Sequence, residues 1–384
     1  MKLVKSAIAC ALVLSGVSAA HAKDFTMDEV TFTPYARVVG GVNYVDNSFK
    51  AGESGNKVEV ASNQWGTSYI GSSINIDLGN GFDAFTNLEI GFGTLNGQTN
   101  EEDSLFNRQA NLGVKHKDYG QLSVGTHLMP SQDILDMDPM QFQSIGLNTL
   151  VNGVNDLTAD NSIMYRSPEY YGVSFAYLHK FGGEVVDSER SSANSFSLAY
   201  RNGGFKLRGI YQEKADEFGH YTGGDFYGLG TQGQWINAKT HIIATSYETG
   251  PAKFTAGFQH VEAPDSGYLL SYTFDDEADM VWVGTNYAIS KKLTANIAAY
   301  QLEQDYSSKK STLYTVGLNY EVNKYFTLYS TLGYIHNNRV DDSLVGNVGA
   351  NNHALSYDEV TCEDTDDCNG ASQLGGYTGI VIKL

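Results

Sequence analysis

The chain has 384 residues, with 25 Lys and Arg against 44 Asp and Glu and a formal charge of −19. So acidic a chain carries no electrostatic footprint for a phosphate backbone, which argues against nucleic-acid binding. With 41 Gly, 6 Pro, 18 Phe, 25 Tyr and 3 Trp, it is too aromatic for disorder and suits turn-rich β structure.

Met1 to Ala22 reads as a secretory signal. Lys2 and Lys5 form the positive start, Ala7 to Val17 the apolar stretch and Ala20-His21-Ala22 a small-x-small cleavage site. The apolar stretch falls short of the roughly 18 residues that span a bilayer as a helix. The expected division is a signal peptide at 1–22 and one folded unit at 23–384. No later apolar run reaches membrane-helix length, and mean hydropathy is −0.28.

What recurs instead is period-two alternation over about ten residues, the pattern of a strand with one apolar and one polar face. Ile70, Ile74, Ile76 and Leu78 form one apolar stripe. In Phe82–Phe92, residues Phe82, Ala84, Leu88 and Ile90 oppose Asp83, Asn87 and Glu89. Similar stripes follow at Val173-Phe175-Tyr177, Phe196-Leu198-Tyr200, Tyr314-Val316-Leu318-Tyr320 and Phe326-Leu328-Leu332-Tyr334.

The connections alternate in length. Tight ones fall at Gly79-Asn80-Gly81, Asp118-Tyr119-Gly120, Ser167-Pro168-Glu169, Asn202-Gly203-Gly204, Gly250-Pro251, Ser290-Lys291-Lys292 and Asn323-Lys324, all rich in turn formers. Longer polar connections lie near 46–63, 94–103, 128–159, 182–193, 214–238, 262–279, 304–310 and 337–372. Together they join sixteen strands, and the even count puts both chain ends on one side. A barrel in lipid must close so that no backbone donor or acceptor faces hydrocarbon. Short turns on one side, long loops on the other, and apolar-out, polar-in alternation fit an all-β, sixteen-stranded antiparallel transmembrane β-barrel.

Several ordered segments carry a family resemblance. Tyr35-Ala36-Arg37, Ser68-Tyr69-Ile70-Gly71, Asp77-Leu78-Gly79-Asn80-Gly81-Phe82-Asp83-Ala84, Phe106-Asn107-Arg108-Gln109-Ala110-Asn111-Leu112-Gly113, Tyr119-Gly120-Gln121-Leu122-Ser123-Val124-Gly125 and Asp160–Pro168 together resemble the general diffusion porins of Gram-negative outer membranes. The resemblance implies a homotrimer in the outer membrane, in contact with its lipid and lipopolysaccharide, with both termini periplasmic. It also implies a third long loop folded into the barrel, whose carboxylates face basic residues on the wall. Carried over by position, the wall cations are Arg37, Arg108 and Arg166, and the loop acids are Asp133, Asp136 and Asp138, with Asp156 and Asp160 at the loop exit. Tyr69 stands where the family usually has a basic residue. Leu384 stands where the family ends in an aromatic read by the barrel-assembly machinery.

The residues themselves add a charge argument. Segment 128–159 has Asp133, Asp136, Asp138 and Asp156 and no Lys or Arg. One sign of charge in a narrow passage with low-dielectric walls concentrates counter-ions. The expectation is an open pore, weakly cation-preferring, for small hydrophilic solutes and ions. Arg166 shares a face with Ser162 and Met164, and Lys206 and Arg208 oppose Phe205 and Leu207, so all three point to the lumen. Strict alternation instead puts Arg108 with Phe106, Leu112 and Val114. This leaves two readings, a bulge that shifts the register or apolar residues that meet a neighbouring subunit.

No cofactor or catalytic group is expected. The alternatives are a barrel enzyme of protease or lipase type, or an adhesin or receptor acting through the long loops. The string Gly228-Leu229-Gly230-Thr231-Gln232-Gly233 lacks the strand and helix that a dinucleotide site needs. Cys362 and Cys368 are expected to form a disulfide clip in the acidic final loop. A calcium loop there puts Thr365 and Gly376 where carboxylates are needed.

Overall fold

The computed structural model describes residues 24–50, 53–99, 104–150, 158–183, 192–215, 238–262, 277–304, 310–338 and 372–384. Met1–Ala22, Asp156, residues 228–233, Cys362 and Cys368 lie outside them.

Among the described residues, eighteen strands make one sheet. They are β1 (Phe25–Met27), β2 (Val30–Lys50), β3 (Glu53–Ser62), β4 (Ser68–Gly79), β5 (Phe82–Phe92), β6 (Gln109–His116), β7 (Gly120–Leu128), β8 (Thr158–Arg166) and β9 (Val173–Lys180). The chain continues through β10 (Ala193–Asn202), β11 (Phe205–Lys214), β12 (Ala238–Thr249), β13 (Ala252–Glu262), β14 (Glu277–Ala288), β15 (Leu293–Gln304), β16 (Lys310–Asn323), β17 (Phe326–Asn337) and β18 (Ser372–Lys383).

Every pairing is antiparallel between neighbours, and β18 closes the ring on β2. The first half of β2 pairs with β4 and the second half with β3, so β3 and β4 are one stave broken at residues 63–67. Asn63 (φ 62°) and Gly66 (φ 69°) take the left-handed backbone at that break. β1 only folds back on the start of β2. The result is a closed barrel of sixteen staves. All seven tight turns fall where the turn formers stand; at the first, Gly79 (φ 81°), Asn80 (φ 54°) and Gly81 (φ 82°) accept positive φ in succession. The first long connection, expected over 46–63, is instead mostly a β-ribbon, because β2 runs to Lys50 and β3 resumes at Glu53.

The outward face is the apolar one. Ile70, Leu112, Val124, Phe175, Ile243, Val283, Ile297, Tyr314, Val316 and Leu332 are all exposed. In water this surface would drive aggregation; in hydrocarbon it is solvated. The inward face is not uniformly polar, which departs from the simple alternation rule. Along β11 to β18 it carries Ile210, Ile242, Met280, Trp282, Tyr300, Leu313, Tyr329 and Tyr377, which form one buried cluster with Ile134, Met137, Met140, Ile145, Leu147 and Leu150 of the segment after β7. That side of the lumen is a dry core. Each fully buried side chain of this size contributes about 1.5–3 kcal/mol.

Candidate functional site

The segment between β7 and β8 leaves the wall at Met129, whose backbone is still extended (φ −67°, ψ 143°). Pro130 follows at the first helical position, where its fixed φ is pre-set and its missing N–H costs nothing. A 3-10 helix then runs from Pro130 to Met137 and stops at Asp138, again extended. A short helical turn, Leu147–Leu150, closes the described part.

Inward side chains of the far wall bind this segment along its length. The indole N–H of Trp282 donates to the Met137 carbonyl at 3.0 Å, and Asn286 donates to the Pro139 carbonyl at 2.6 Å. Gln143 donates to Asn319 at 3.3 Å and accepts from Tyr377 at 3.2 Å and from Thr331. The backbone N–H of Ile145 donates to the Tyr377 hydroxyl at 3.3 Å. At the break in the β3–β4 stave, the Ser144 N–H donates to the Gln64 carbonyl at 2.7 Å, and the Trp65 indole donates to the Gln141 carbonyl at 2.8 Å. The loop therefore lies along the inner wall from the β10–β13 side round to β2.

Three loop aspartates occupy two different environments. Asp133 meets Arg166 at 3.2 Å and Arg208 at 3.3 Å. Asp136 meets Arg208 at 3.0 Å, and its backbone carbonyl accepts from the Lys253 ammonium at 2.6 Å. Asp138 is buried, 2% exposed, away from water. It accepts from the Tyr300 hydroxyl at 2.5 Å and from the backbone N–H groups of Met140 at 3.1 Å and Phe142 at 2.8 Å. Burial pushes its carboxyl up from the ordinary range, while these three donors pull it back. Its contacts are those of a clasp that turns the loop. Asp160, at the loop exit, pairs with Lys180 at 2.5 Å.

The wall of β2 to β6 holds the other candidates. Arg37 stands directly opposite Tyr69 across the β2–β4 ladder. Its guanidinium donates to the carbonyl of Thr67 at 3.2 Å and to that of Trp65, and among the described residues it has no carboxylate partner. Arg108 ion-pairs closely with the buried Glu89 and lies 5.1 Å from the centre of the Tyr69 ring. Its apparent clash with alternation resolves simply. β6 begins at Gln109, so Arg108 sits in a bend outside the regular strand and turns inward, while Leu112 and Val114 remain exposed on the outer face.

Two features of this arrangement escape the position-by-position reading. Arg208 and Lys253 join Arg166 in holding the loop, although only Arg166 was among the wall candidates. The polar side of β11, where Lys206 and Arg208 oppose Phe205 and Leu207, was the available signal. Glu89, on the polar side of β5, neutralises Arg108 and was likewise visible only as a lumen residue.

With this geometry, the comparisons with known proteins agree. The family model for Gram-negative porins matches residues 6–340. An outer membrane porin protein of Bordetella pertussis is 26% identical over 210 residues, 51% of this chain; that match spans about half of the relative, 52% of its length. The major outer membrane protein P.IB of Neisseria meningitidis is 24% identical over 344 residues, 81% of this chain and 98% of the relative. Among solved structures, the anion-selective porin from Comamonas acidovorans superposes with a TM-score of 0.72 at 18% identity, covering 93% of this chain and 100% of that one. OmpT of Vibrio cholerae gives 0.63 at 14% identity, covering 94% and 100%. A closed sixteen-stave barrel, greasy outside and with the segment after β7 packed against its inward side chains, thus belongs to the Gram-negative porin family of the outer membrane.

Proposed function

We propose that the protein is a passive channel for ions and small hydrophilic solutes, with a weak preference for anions. Open passage follows from the family. The family points to a non-enzymatic channel. The sign of the preference follows from pairing. The cation preference expected from the sequence needed loop carboxylates free to face the passage. Asp133 and Asp136 are instead matched by Arg166 and Arg208, and Glu89 is matched by Arg108. Arg37 and Lys253, whose ammonium donates to the Asp136 backbone carbonyl, are left over, and the single observation that carries the proposal is the lack of an acidic partner for Arg37 among the described residues. In a passage with low-dielectric walls, an uncompensated cation raises the local anion concentration. Acidic rims beyond a Debye length of about 8 Å are screened at physiological salt.

Reversal potentials of the purified protein in planar bilayers under a potassium chloride gradient test this. A small shift of the anion-preferring sign is expected, and a clear cation preference would overturn it.

Assembly as a homotrimer is part of the same reading; one solved neighbour, of 14% identity and TM-score 0.59, is the trimer form of the Vibrio cholerae OmpT. Contact with outer-membrane lipid and lipopolysaccharide is supported by the outer face itself. There the row His241, His260, Asp279, Glu303 and Lys310 crosses β12 to β16 beside the longer connections, above the apolar band. Ionisable groups of this kind belong in the headgroup layer rather than in hydrocarbon. The same reading puts both termini on the periplasmic side, where the barrel-assembly machinery would read the end at Leu384. Heat-modifiable mobility on a gel and cross-linking of the native protein report barrel and trimer separately.

A further inference from the structure

We propose that the wall around Tyr69 makes the channel selective, among anions, for planar aromatic carboxylates over saturated ones of the same size and charge; this rests on the anion-preferring reading above. The argument begins with what replaces a cation at position 69. Tyr69 faces the lumen between two guanidinium groups, Arg37 directly across the ladder and Arg108 with its charge 5.1 Å from the ring centre. Tyr35 meets the same ring edge-on, with centroids 6.0 Å apart and planes at 78°. Room for this comes from glycine. A Cβ on Gly71 would sit 2.6 Å from the Tyr35 ring, so any other residue there would drive that ring away. From the loop side Phe142 reaches the same place. A Cβ on Gly66 would lie 3.0 Å from the Phe142 ring and 3.3 Å from Arg37 Nη1, which puts this ring and this guanidinium side by side.

Rings and guanidinium groups therefore adjoin on this wall, Phe142 with Arg37, Tyr69 with Arg108, and Tyr35 edge-on to Tyr69. Such a surface offers a planar anion two things at once. The carboxylate finds the guanidinium of Arg37, which has no acid of its own. The ring finds aromatic neighbours in edge or offset contact, an attraction that a saturated ring lacks. Arg37 keeps two backbone carbonyls as partners, so it is fixed in place before a solute arrives. Binding of this strength is weak enough to release the solute, as conduction requires.

The test compares benzoate with cyclohexanecarboxylate in single channels, from reversal potentials with each sodium salt against sodium chloride. Wild type is expected to pass benzoate with a permeability about threefold higher, in line with one aromatic contact. Tyr69→Leu is expected to abolish the advantage and Tyr69→Phe to keep it. Equal permeabilities in wild type overturn the inference and leave the chloride preference standing. A cation-preferring wild type overturns the reading beneath it instead. Should Tyr69→Leu fail to assemble, Phe142→Leu on the loop serves in its place. An advantage that survives the loss of either ring also overturns the site.

Discussion

Arg208 grips Asp136 with two parallel hydrogen bonds, Nε to Oδ1 at 3.1 Å and Nη2 to Oδ2 at 3.0 Å, while its remaining Nη1 reaches Asp133 and the Ser197 hydroxyl. One planar group thus fastens two acids of the loop to β11 with the fork geometry that only arginine supplies. Arg208→Gln removes the fork and leaves the Asp136 side chain without its partner. The expected outcome is a reversal potential moved toward cation preference and a noisier open level, both read in the same single-channel recording.

Asp138 acts through position rather than charge in the passage. Asp138→Asn replaces one acceptor oxygen by a donor amide, which must face the Tyr300 hydroxyl or a backbone N–H. Leaving a buried donor unsatisfied costs about 1–3 kcal/mol. Tyr300→Phe removes a single bond and costs roughly 0.5–1.5 kcal/mol. The order of destabilisation, Asp138→Asn beyond Tyr300→Phe, is checked by thermal unfolding in detergent, with flicker between conductance levels as the functional readout.

Glu89 and Arg108 form a pair that is nearly closed to solvent, with side chains 5% and 11% exposed. Taking one partner from a buried pair costs about 3–5 kcal/mol, mostly as an uncompensated charge. Glu89→Gln should therefore lower stability by an amount of that order and strengthen anion preference at the same time. A stable variant with an unchanged potassium to chloride ratio would remove the pair from the account of selectivity.

Seating of the loop on the wall is testable from the wall. The methyl end of Met140 lies over Gly317, where a Cβ would come within 2.9 Å of it. Gly317→Ala asks only a flexible tip to shift and should be tolerated. Gly317→Leu fills the seat, so the loop should be pushed inward and single-channel conductance reduced. Comparing the two variants separates a filled seat from a general effect of losing glycine.

The strand ladder was legible because its signals are local. Tight turns announce themselves by residue type, as at Asn80-Gly81, and outward stripes such as Tyr314-Val316-Leu318 alternate cleanly against polar neighbours. The dry side of the lumen was not legible. In β14 the run Met280-Val281-Trp282-Val283 is apolar on both faces, and alternation cannot reveal that the inward half meets a loop 145 residues earlier in the chain. The candidate site was legible in part. Loop acids and Arg166 could be placed from sequence, but which acid faces water depends on partners far away in sequence. Asp138 differs from Asp136 only through Tyr300 and two backbone amides, none of them visible in the spacing of the aspartates. Arg108 depended on where β6 starts, a boundary that a period-two pattern does not fix.

The cluster beneath the loop has a consequence for how such a molecule endures outside its bilayer. Most of a membrane cylinder's greasy surface loses its natural solvent when lipid is stripped away, yet Ile134, Met137, Met140, Trp282 and Tyr300 stay packed against one another whatever surrounds the outside. In thermodynamic terms the protein carries an interior like that of a water-soluble domain, independent of its surfactant coat, and this gives the cylinder an internal brace that survives extraction.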